Sequence, residues 1–311
     1  FKQKTAYEIS LGLVGSEMCI RDRLNFLEKN LPKIVLAPTA VAMLVCMYGF
    51  IIWTGLLSLT KSRMMPQWDF VGLDQYVRLF KNPRWDVAVD NLFVFLILFI
   101  VIALVLGLLL AIFLDQRIRV EGAIRTIYLY PMAISFIVTG TAWKWILNPG
   151  LGIEKLMNDW GFVGFEFRWL VEQDMAIYTI VIAAIWQSSG FVMALFLAGL
   201  RGVDENLTKA AKMDGASTVR LYWHIILPLM RPVFFSAIVI LTHIAIKSFD
   251  LVQALTGGGP GYASDLPANF MYTYTFNRSQ IGIGAASAMI MLFGVLAVLI
   301  PYLYSELREK D

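Results

Sequence analysis

Long apolar stretches alternate with shorter polar ones along this chain. A helix needs about 20 apolar residues to cross a hydrocarbon core of roughly 30 Å, and six stretches come close to that length or exceed it. The pattern therefore predicts an all-α membrane protein with six transmembrane helices. The predicted spans are residues 34–60, 91–114, 126–147, 175–200, 233–255 and 281–304.

The composition agrees with a membrane protein. Of the 311 residues, 58% are hydrophobic and 16% are charged, whereas soluble domains carry roughly 25% charged residues. The Lys and Arg residues are scattered near predicted helix ends and do not form a basic stripe. We therefore expect membrane lipid around the chain and no nucleic acid as a partner. The two cysteines and two histidines lack metal-ligand spacing, so no metal site is expected.

Residues 1–23 do not follow the pattern of the rest. They lack the continuous apolar core and the small-residue cleavage site of a signal peptide. They resemble translated sequencing-adapter read-through, and the alternative is a disordered cytoplasmic tail. We therefore expect residues 24–311 to form a single transmembrane domain.

The distribution of basic residues predicts the orientation of the spans. Six spans place both termini on one side, where the polar segments hold 16 Lys and Arg against eight on the other side. Without residues 1–23 the comparison is 12 against eight. Because basic residues accumulate in cytoplasmic loops, we expect both termini to be cytoplasmic.

The polar segment 207–232, between the fourth and fifth predicted spans, has a helical pattern of its own. Leu207–Met213 predicts a short helix, and the Asp214–Gly215 pair is a breaker at which the chain turns. Ser217–Leu227 carries apolar residues at helical spacing and stops at Pro228. Two short helices around a glycine turn predict a rigid knob that faces water. An ordinary interhelical loop is the alternative.

Ten residues of this segment carry a resemblance to a known family. They are Ala210, Ala211, Asp214, Gly215, Ala216, Tyr222, Ile225, Leu227, Pro228 and Pro232. Their spacing resembles the cytoplasmic signature of binding-protein-dependent ABC transporter permeases: EAA, two residues, DGA, an aromatic residue, I-x-LP and a later Pro. The resemblance implies the architecture of an ABC importer (type I) permease, in which this knob is a coupling helix seated in a cleft of the ATPase.

Lys209 departs from the signature, which usually has Glu at this position. We therefore expect Lys209 to pair with an acidic group. The residues predicted to couple the chain to the ATPase are Lys209, Ala210, Ala211, Asp214, Gly215, Ala216, Tyr222 and Pro228.

Further strings extend the resemblance over about residues 31–310. LTGGGPGY, residues 255–262, resembles the external loop of the sugar-transporting branch of the family. The strings DQRIRVEGAIRTIYLYPMAISFIVTGTAWKWILNPG, FLAGLRGVDENL, IKSFDLV and PYLYSELREK resemble glucose/mannose-type and α-glucoside-type permeases.

The resemblance also implies where the chain lies and what it assembles with. It implies a multi-pass protein of the prokaryotic inner membrane that works with a second homologous permease subunit, an ABC ATPase dimer and an extracytoplasmic sugar-binding protein. The residues expected to face the binding protein are Gly257, Gly258, Gly259 and Pro260.

Polar groups inside the fourth and fifth spans are candidates for the sugar pathway. His243, Lys247 and Asp250 are four and three residues apart, so we expect them on one helix face, and ionisable residues inside a span are functional candidates. The alternative is that Lys247 and Asp250 only neutralise each other, and that the polar groups of the fourth span only join helices. The candidate pathway residues are Trp186, Gln187, Ser188, Ser189, His243, Lys247, Ser248 and Asp250.

No ATP-binding pattern GxxxxGK[ST] occurs in the chain, and no nucleophile and base are arranged for catalysis. We therefore expect a non-catalytic subunit without a cofactor of its own, whose partner ATPase uses ATP and Mg²⁺. One alternative is an ion-coupled secondary sugar transporter, which would use Lys247 and Asp250 for proton coupling and should show broken helices and internal repeats. No internal repeat is visible. A structural membrane scaffold is the other alternative, and it predicts no polar track through the spans.

Overall fold

Helices form almost all of the regular structure. The computed structural model describes the backbone of residues 6–116 and 119–308, and the side chains of residues 31–33, 35–116 and 119–304. The helices are α1 (Ala6–Ser58), α2 (Asp74–Phe80), α3 (Pro83–Asp115), α4 (Glu121–Ala133), α5 (Phe136–Ile146), α6 (Ile153–Asp159), α7 (Ala176–Arg201), α8 (Glu205–Met213), α9 (Thr218–Leu221), α10 (Leu227–Leu229), α11 (Arg231–Ile246), α12 (Asp250–Leu255), α13 (Pro267–Tyr272) and α14 (Ile281–Arg308). Two π-helical turns, Tyr222–Ile226 and Thr273–Asn277, complete the described helical elements.

The chain divides into two units, residues 1–56 and residues 57–311. The first unit consists of most of α1, whose Leu31–Ser58 portion is long and apolar enough to span a membrane. The helix α1 begins at Ala6. Residues 6–23 are therefore helical in the structure, and the alternative of a disordered tail does not hold for them. That stretch contains no proline and several Leu, Glu and Arg residues, which favour a helix.

Two parallel helices, α3 and α7, form the centre of the larger unit. Near their N-termini, Asn91 and Tyr178 line one cavity. Near their C-termini, Arg201 Nε lies 3.9 Å from Asp115 Oδ1. We call the second region the coupling end and the first the loop end. The fully buried side chains Phe95, Phe99, Ile180, Met193 and Phe196 belong to these two helices.

The third predicted span needs a correction, because residues 126–147 are not one straight helix. They are divided between α4 and α5, which are bent by 101°. Pro131 lies in the last turn of α4, where it weakens the helix, and Ser135 caps α5 by accepting a hydrogen bond from the Val138 amide at 3.3 Å. Since α3 and α7 are parallel, the chain between them must return across the membrane. Together, α4 and α5 therefore make one broken crossing.

The fifth predicted span is also interrupted. Within residues 233–255, α11 ends at Ile246 and α12 begins at Asp250. The Ser248 hydroxyl donates to the Ile244 carbonyl at 2.9 Å, which satisfies a backbone group that the end of the helix leaves unpaired. Over the described residues, four helices are long and apolar enough to span a membrane. Two bent pairs bring the number of candidate spans to six: α4 with α5, and Thr218–Leu229 with α11.

The last helix, α14, returns the chain from the loop end to the coupling end. At its start, the Gly282 amide donates to the Ser62 carbonyl at 3.0 Å, and Gly284 packs so closely on Thr275 that a methyl group would overlap it. Near its far end, the Tyr302 hydroxyl lies 3.0 Å from the hydroxyl of Ser236 in the second turn of α11. Small residues at the start of α14 thus allow the close packing that membrane helices need.

Candidate functional site

The first candidate site is the coupling segment, residues 205–229, which connects α7 to α11. At the end of α8 the Ala216 amide donates to the Ala211 carbonyl at 3.0 Å, and the Gly215 amide donates to the Lys212 carbonyl at 3.1 Å. This is the hydrogen-bond pattern of a Schellman motif, which needs a left-handed residue after the helix. Gly215, with φ of +79°, supplies it. The predicted glycine turn is therefore a defined helix stop.

The coupling segment has an inner and an outer face. Ala211, Leu221 and Ile226 are buried in the main apolar core, and Ala216 and Tyr222 pack against that core. Lys209, Ala210, Asp214 and Gly215 are exposed. Large apolar side chains are also exposed on the segment: Met213 is 87% exposed, Val219 78% and Trp223 70%. The segment thus has a firmly packed base and an apolar outer surface.

The expected helix stop at Pro228 needs a correction. The helical path does not stop there but continues through α10 to Leu229, and α11 starts after a bend of 66°. A proline removes one amide donor and clashes with the carbonyl four residues earlier. The π-helical turn before it relieves this conflict, since Leu227 donates its amide five residues back, to the Tyr222 carbonyl.

Lys209 forms an ion pair within its own helix. Its Nζ lies 2.7 Å from Glu205 Oε2, one turn earlier, and both side chains are largely exposed. The acidic group that we expected for Lys209 is therefore present in the chain itself.

The second candidate site is the proposed sugar pathway. Gln187 is only 3% exposed, and its Nε2 donates to the Ile134 carbonyl at 2.7 Å. Ile134 lies at the bend between α4 and α5, so Gln187 pairs a backbone group that the broken span would otherwise leave unpaired. Its buried Oε1 has no hydrogen-bond partner among the described residues and remains a free acceptor. Ser188 and Ser189 are buried beside it.

Trp186 faces a second aromatic residue. Its ring lies edge-on to the Trp143 ring, with centroids 6.0 Å apart, and it is 41% exposed. This pair joins α7 to α5 and offers an aromatic surface next to Gln187.

The ionisable residues of the fifth span do not share one helix face, because the helix breaks between them. His243 belongs to α11, Lys247 follows its last residue, and Asp250 begins α12. No ion pair joins Lys247 to Asp250 among the described side chains. The break nevertheless brings both residues, with His243 and Ser248, around one cavity of about 200 Å³ that Phe136 at the start of α5 also lines. The two broken spans therefore meet at this cavity.

The third candidate site is the glycine-rich loop, residues 256–266, at the loop end. A hydrogen-bond network fixes its shape. The Ser264 hydroxyl donates to the Gly259 carbonyl at 2.6 Å, and the Asn91 amide nitrogen donates to the carbonyls of Ala263 and Asp265 at 2.8 and 3.0 Å. Of the residues expected to face a binding protein, Gly257 is exposed, Gly259 and Pro260 are half-buried, and Gly258 is buried.

An ion pair anchors the end of this loop. Arg84 Nε lies 2.6 Å from Asp265 Oδ2, and the Asp265 side chain is fully buried. Asn269 Nδ2 donates to the other oxygen of the same carboxylate. Sequence reasoning missed this pair, because 181 residues separate its members and neither follows a local motif.

The comparisons with known proteins agree with this geometry. Residues 103–309 match the family described as binding-protein-dependent transport system inner membrane component. The chain belongs to this family. The predicted resemblance to binding-protein-dependent sugar ABC transporter permeases is confirmed.

Several relatives are similar to this permease over nearly its whole length. A probable ABC transporter permease of Pyrococcus horikoshii is 38% identical, covering 91% of this chain and 98% of the relative. The xylose/arabinose import permease of Haloferax volcanii is 34% identical, covering 86% of each chain. The trehalose/maltose transport system permease of Thermococcus litoralis is 30% identical, covering 94% of this chain and 99% of the relative.

A solved structure shows the same fold. A chain of a bacterial alginate ABC transporter, in complex with a periplasmic protein that holds an alginate pentasaccharide, matches with a TM-score of 0.79 at 19% identity. The match covers 92% of this chain and 98% of the other. The predicted fold class, an all-α membrane protein with the architecture of an ABC importer permease, is confirmed.

Proposed function

We propose that this permease forms part of the sugar pathway of an ATP-driven importer and that its coupling segment receives the movement of a separate ATPase dimer. The observation that carries the proposal is the outer face of the coupling segment, which combines a rigid Schellman turn at Gly215 with the exposed apolar side chains of Met213, Val219 and Trp223. An apolar surface of this kind marks a protein contact. The coupling end is then cytoplasmic, as are both termini.

In this mechanism the permease itself catalyses no reaction. The ATPase dimer binds ATP and Mg²⁺ and closes, and the coupling segment moves with it. Because Leu221 and Ile226 fix the base of the segment in the core, the core moves as well. A second homologous permease completes the pathway, and an extracytoplasmic binding protein delivers the sugar at the loop end. Alternating access requires that contacts differ between the two states. The break between α11 and α12 and the bend between α4 and α5 are the places where they can change.

The proposed substrate is a monosaccharide such as glucose or mannose, or a small oligosaccharide. Two of the relatives are named for xylose/arabinose and trehalose/maltose, which supports a sugar as the substrate. A sugar needs hydroxyl partners and an aromatic surface. The free Oε1 of Gln187, the Trp186 ring and the cavity beside Lys247 and Asp250 offer both.

A pair of glycine variants tests the coupling role. Gly215 and Gly150 have φ of +79° and +77°, and an added Cβ would meet nothing within 4 Å at either position. Valine should introduce similar backbone strain at both sites. In proteoliposomes containing all subunits, we expect Gly215→Val to abolish ATP-driven sugar uptake and Gly150→Val to retain most of it. Equal uptake by both variants would contradict the coupling role.

The same proteoliposomes separate ATP drive from ion coupling. The broken helices expected of an ion-coupled transporter are present in this structure. Membership of the binding-protein-dependent family nevertheless favours ATP as the energy source. We expect uptake with ATP and none with a proton gradient alone. Uptake on the gradient without ATP would overturn the proposal.

A further inference from the structure

A polar cavity at the loop end is lined by none of the candidate pathway residues. Its volume is about 550 Å³, and it lies between the N-termini of α3 and α7 and the glycine-rich loop. The coupling segment follows the C-terminus of α7, so the cavity lies at the opposite end of the central helices. Pro260, which the resemblance places facing the binding protein, is one of its lining residues.

The lining of the cavity is suited to a carbohydrate. Asn91 and Gln173 contribute amides, Asp174 a carboxylate, and Tyr178 and Tyr262 phenol rings. Amides and carboxylates pair with sugar hydroxyls, and aromatic rings cover the apolar face of a pyranose. Sites for small molecules commonly combine aromatic walls with a few polar groups in this way.

One wall of the cavity is held in place before any ligand arrives. The Asn91 amide nitrogen donates to the loop carbonyls of Ala263 and Asp265, at 2.8 and 3.0 Å, so the amide oxygen is the group left to accept from a ligand. The same bonds fix the loop that carries Tyr262, and the buried Arg84–Asp265 pair fixes the end of that loop. On the α7 side, the Tyr178 ring packs edge-on against Trp169, with centroids 6.4 Å apart. A preorganised site loses less free energy on binding.

We propose that this cavity is an entry site that holds a saccharide between its release from the binding protein and its passage into the spans. The proposal rests on the importer function proposed above. Asp174 and Gln173 are exposed, so the site is open to a ligand arriving from outside. A basic side chain of the binding protein is the competing occupant, because Asp174 would attract it.

The test uses the complete transporter in proteoliposomes with its liganded binding protein. Asp174→Asn removes the charge and keeps the shape, Tyr262→Ala removes the ring and Tyr262→Phe restores it. Asp90→Asn is the matched control, because Asp90 is exposed on α3 and does not line the cavity. Two quantities are measured: sugar taken up per ATP hydrolysed, and the apparent KM for the binding protein in stimulating ATP hydrolysis.

We expect Asp174→Asn and Tyr262→Ala to lower uptake per ATP roughly tenfold, as the loss of one or two ligand contacts predicts. The KM for the binding protein should stay within about twofold of the unmodified transporter. Tyr262→Phe should recover most of the uptake that Tyr262→Ala loses, and Asp90→Asn should leave both quantities unchanged. A raised KM with unchanged uptake per ATP would assign the cavity to a side chain of the binding protein and overturn the proposal. Unchanged values in all variants would overturn it as well. If the binding protein did not stimulate ATP hydrolysis by the unmodified transporter, that result would instead refute the importer function.

Discussion

The coupling segment and the glycine-rich loop are both short connections with left-handed glycines, yet they are built for different tasks. The glycine-rich loop turns its polar groups inward, around the fully buried Asp265 side chain. The coupling segment is packed only at its base and leaves Met213, Val219 and Trp223 exposed. A loop held by its own chain keeps its shape without a partner. A segment with an exposed apolar face instead has a surface available for contact with another protein.

The largest expected effect comes from breaking the anchor of the glycine-rich loop. Asp265→Ala leaves Arg84, whose side chain is 15% exposed, without its partner. Removing one member of a buried pair costs about 3–5 kcal/mol, so unfolding of the purified permease in detergent should shift strongly to lower denaturant. Asp74→Ala is the control, since it breaks the half-exposed pair with Arg78 and should cost under about 1 kcal/mol. Similar losses in the two variants would show that the loop does not depend on the buried pair.

A substitution on the exposed face of the coupling segment should weaken partner binding and leave the stability of the isolated permease nearly unchanged. Trp223→Ala should change the stability of the isolated permease little, because the ring is 70% exposed. It should weaken binding of the ATPase by about 2 kcal/mol, roughly thirtyfold, if Trp223 anchors that interface. Titrating the ATPase onto the permease in nanodiscs measures the effect. Trp160→Ala, which removes a ring that is 68% exposed near the end of α6, should leave the affinity unchanged, and an equal loss there would exclude a specific contact.

Alanine at the left-handed glycines compares the two regions directly. Gly258, Gly257 and Gly215 all have positive φ, so each substitution should cost roughly 1–2 kcal/mol of backbone strain. At Gly258 the new Cβ would also lie 2.6 Å from Asn269 Nδ2 and 2.8 Å from Asp265 Oδ1, whereas the other two positions are open. Gly258→Ala should therefore destabilise the permease by about 1–3 kcal/mol more than the other two variants. Thermal unfolding of the three variants checks this order, which equal midpoints would contradict.

The smallest effect is expected at Lys209. Its ion pair with Glu205 lies on the helix surface, with the side chains 68% and 82% exposed. Pairs of this kind stabilise a helix by about 0.2–0.5 kcal/mol, so Lys209→Gln should leave stability and ATP-driven uptake nearly unchanged. A loss of uptake of more than about tenfold would mean that Lys209 pairs with the ATPase and not mainly with Glu205.

Sequence reasoning found the coupling segment because its signals are local. The Schellman stop at Gly215 and the cap at Ser217, which accepts from the Arg220 amide, depend on residues less than two turns apart. Sequence reasoning did not find the bend between α4 and α5, although Pro131 and Ser135 were visible as local signals. The apolar run continues through the bend, and the Ile134 carbonyl is satisfied by Gln187, 53 residues away.

The arrangement of the candidate pathway residues also could not be predicted from local sequence signals. Helical spacing predicts His243, Lys247 and Asp250 on one helix face, whereas the structure brings them around one cavity through a break in the helix. The cavity at the loop end could not be read from the sequence, because its lining comes from α3, the segment before α7 and the glycine-rich loop.

The sequence by itself determined that the chain is a helical membrane protein of the binding-protein-dependent permease family, with a helical segment after α7 that is interrupted at Gly215. Apolar length, helix stops and signature spacing are short-range properties. Only the tertiary structure decided where the third and fifth spans break, that Arg84 pairs with Asp265, and which polar side chains share a cavity. Inside a membrane protein a polar group removed from water must find a partner wherever the packing places one. That partner is often distant in sequence, and packing alone selects it.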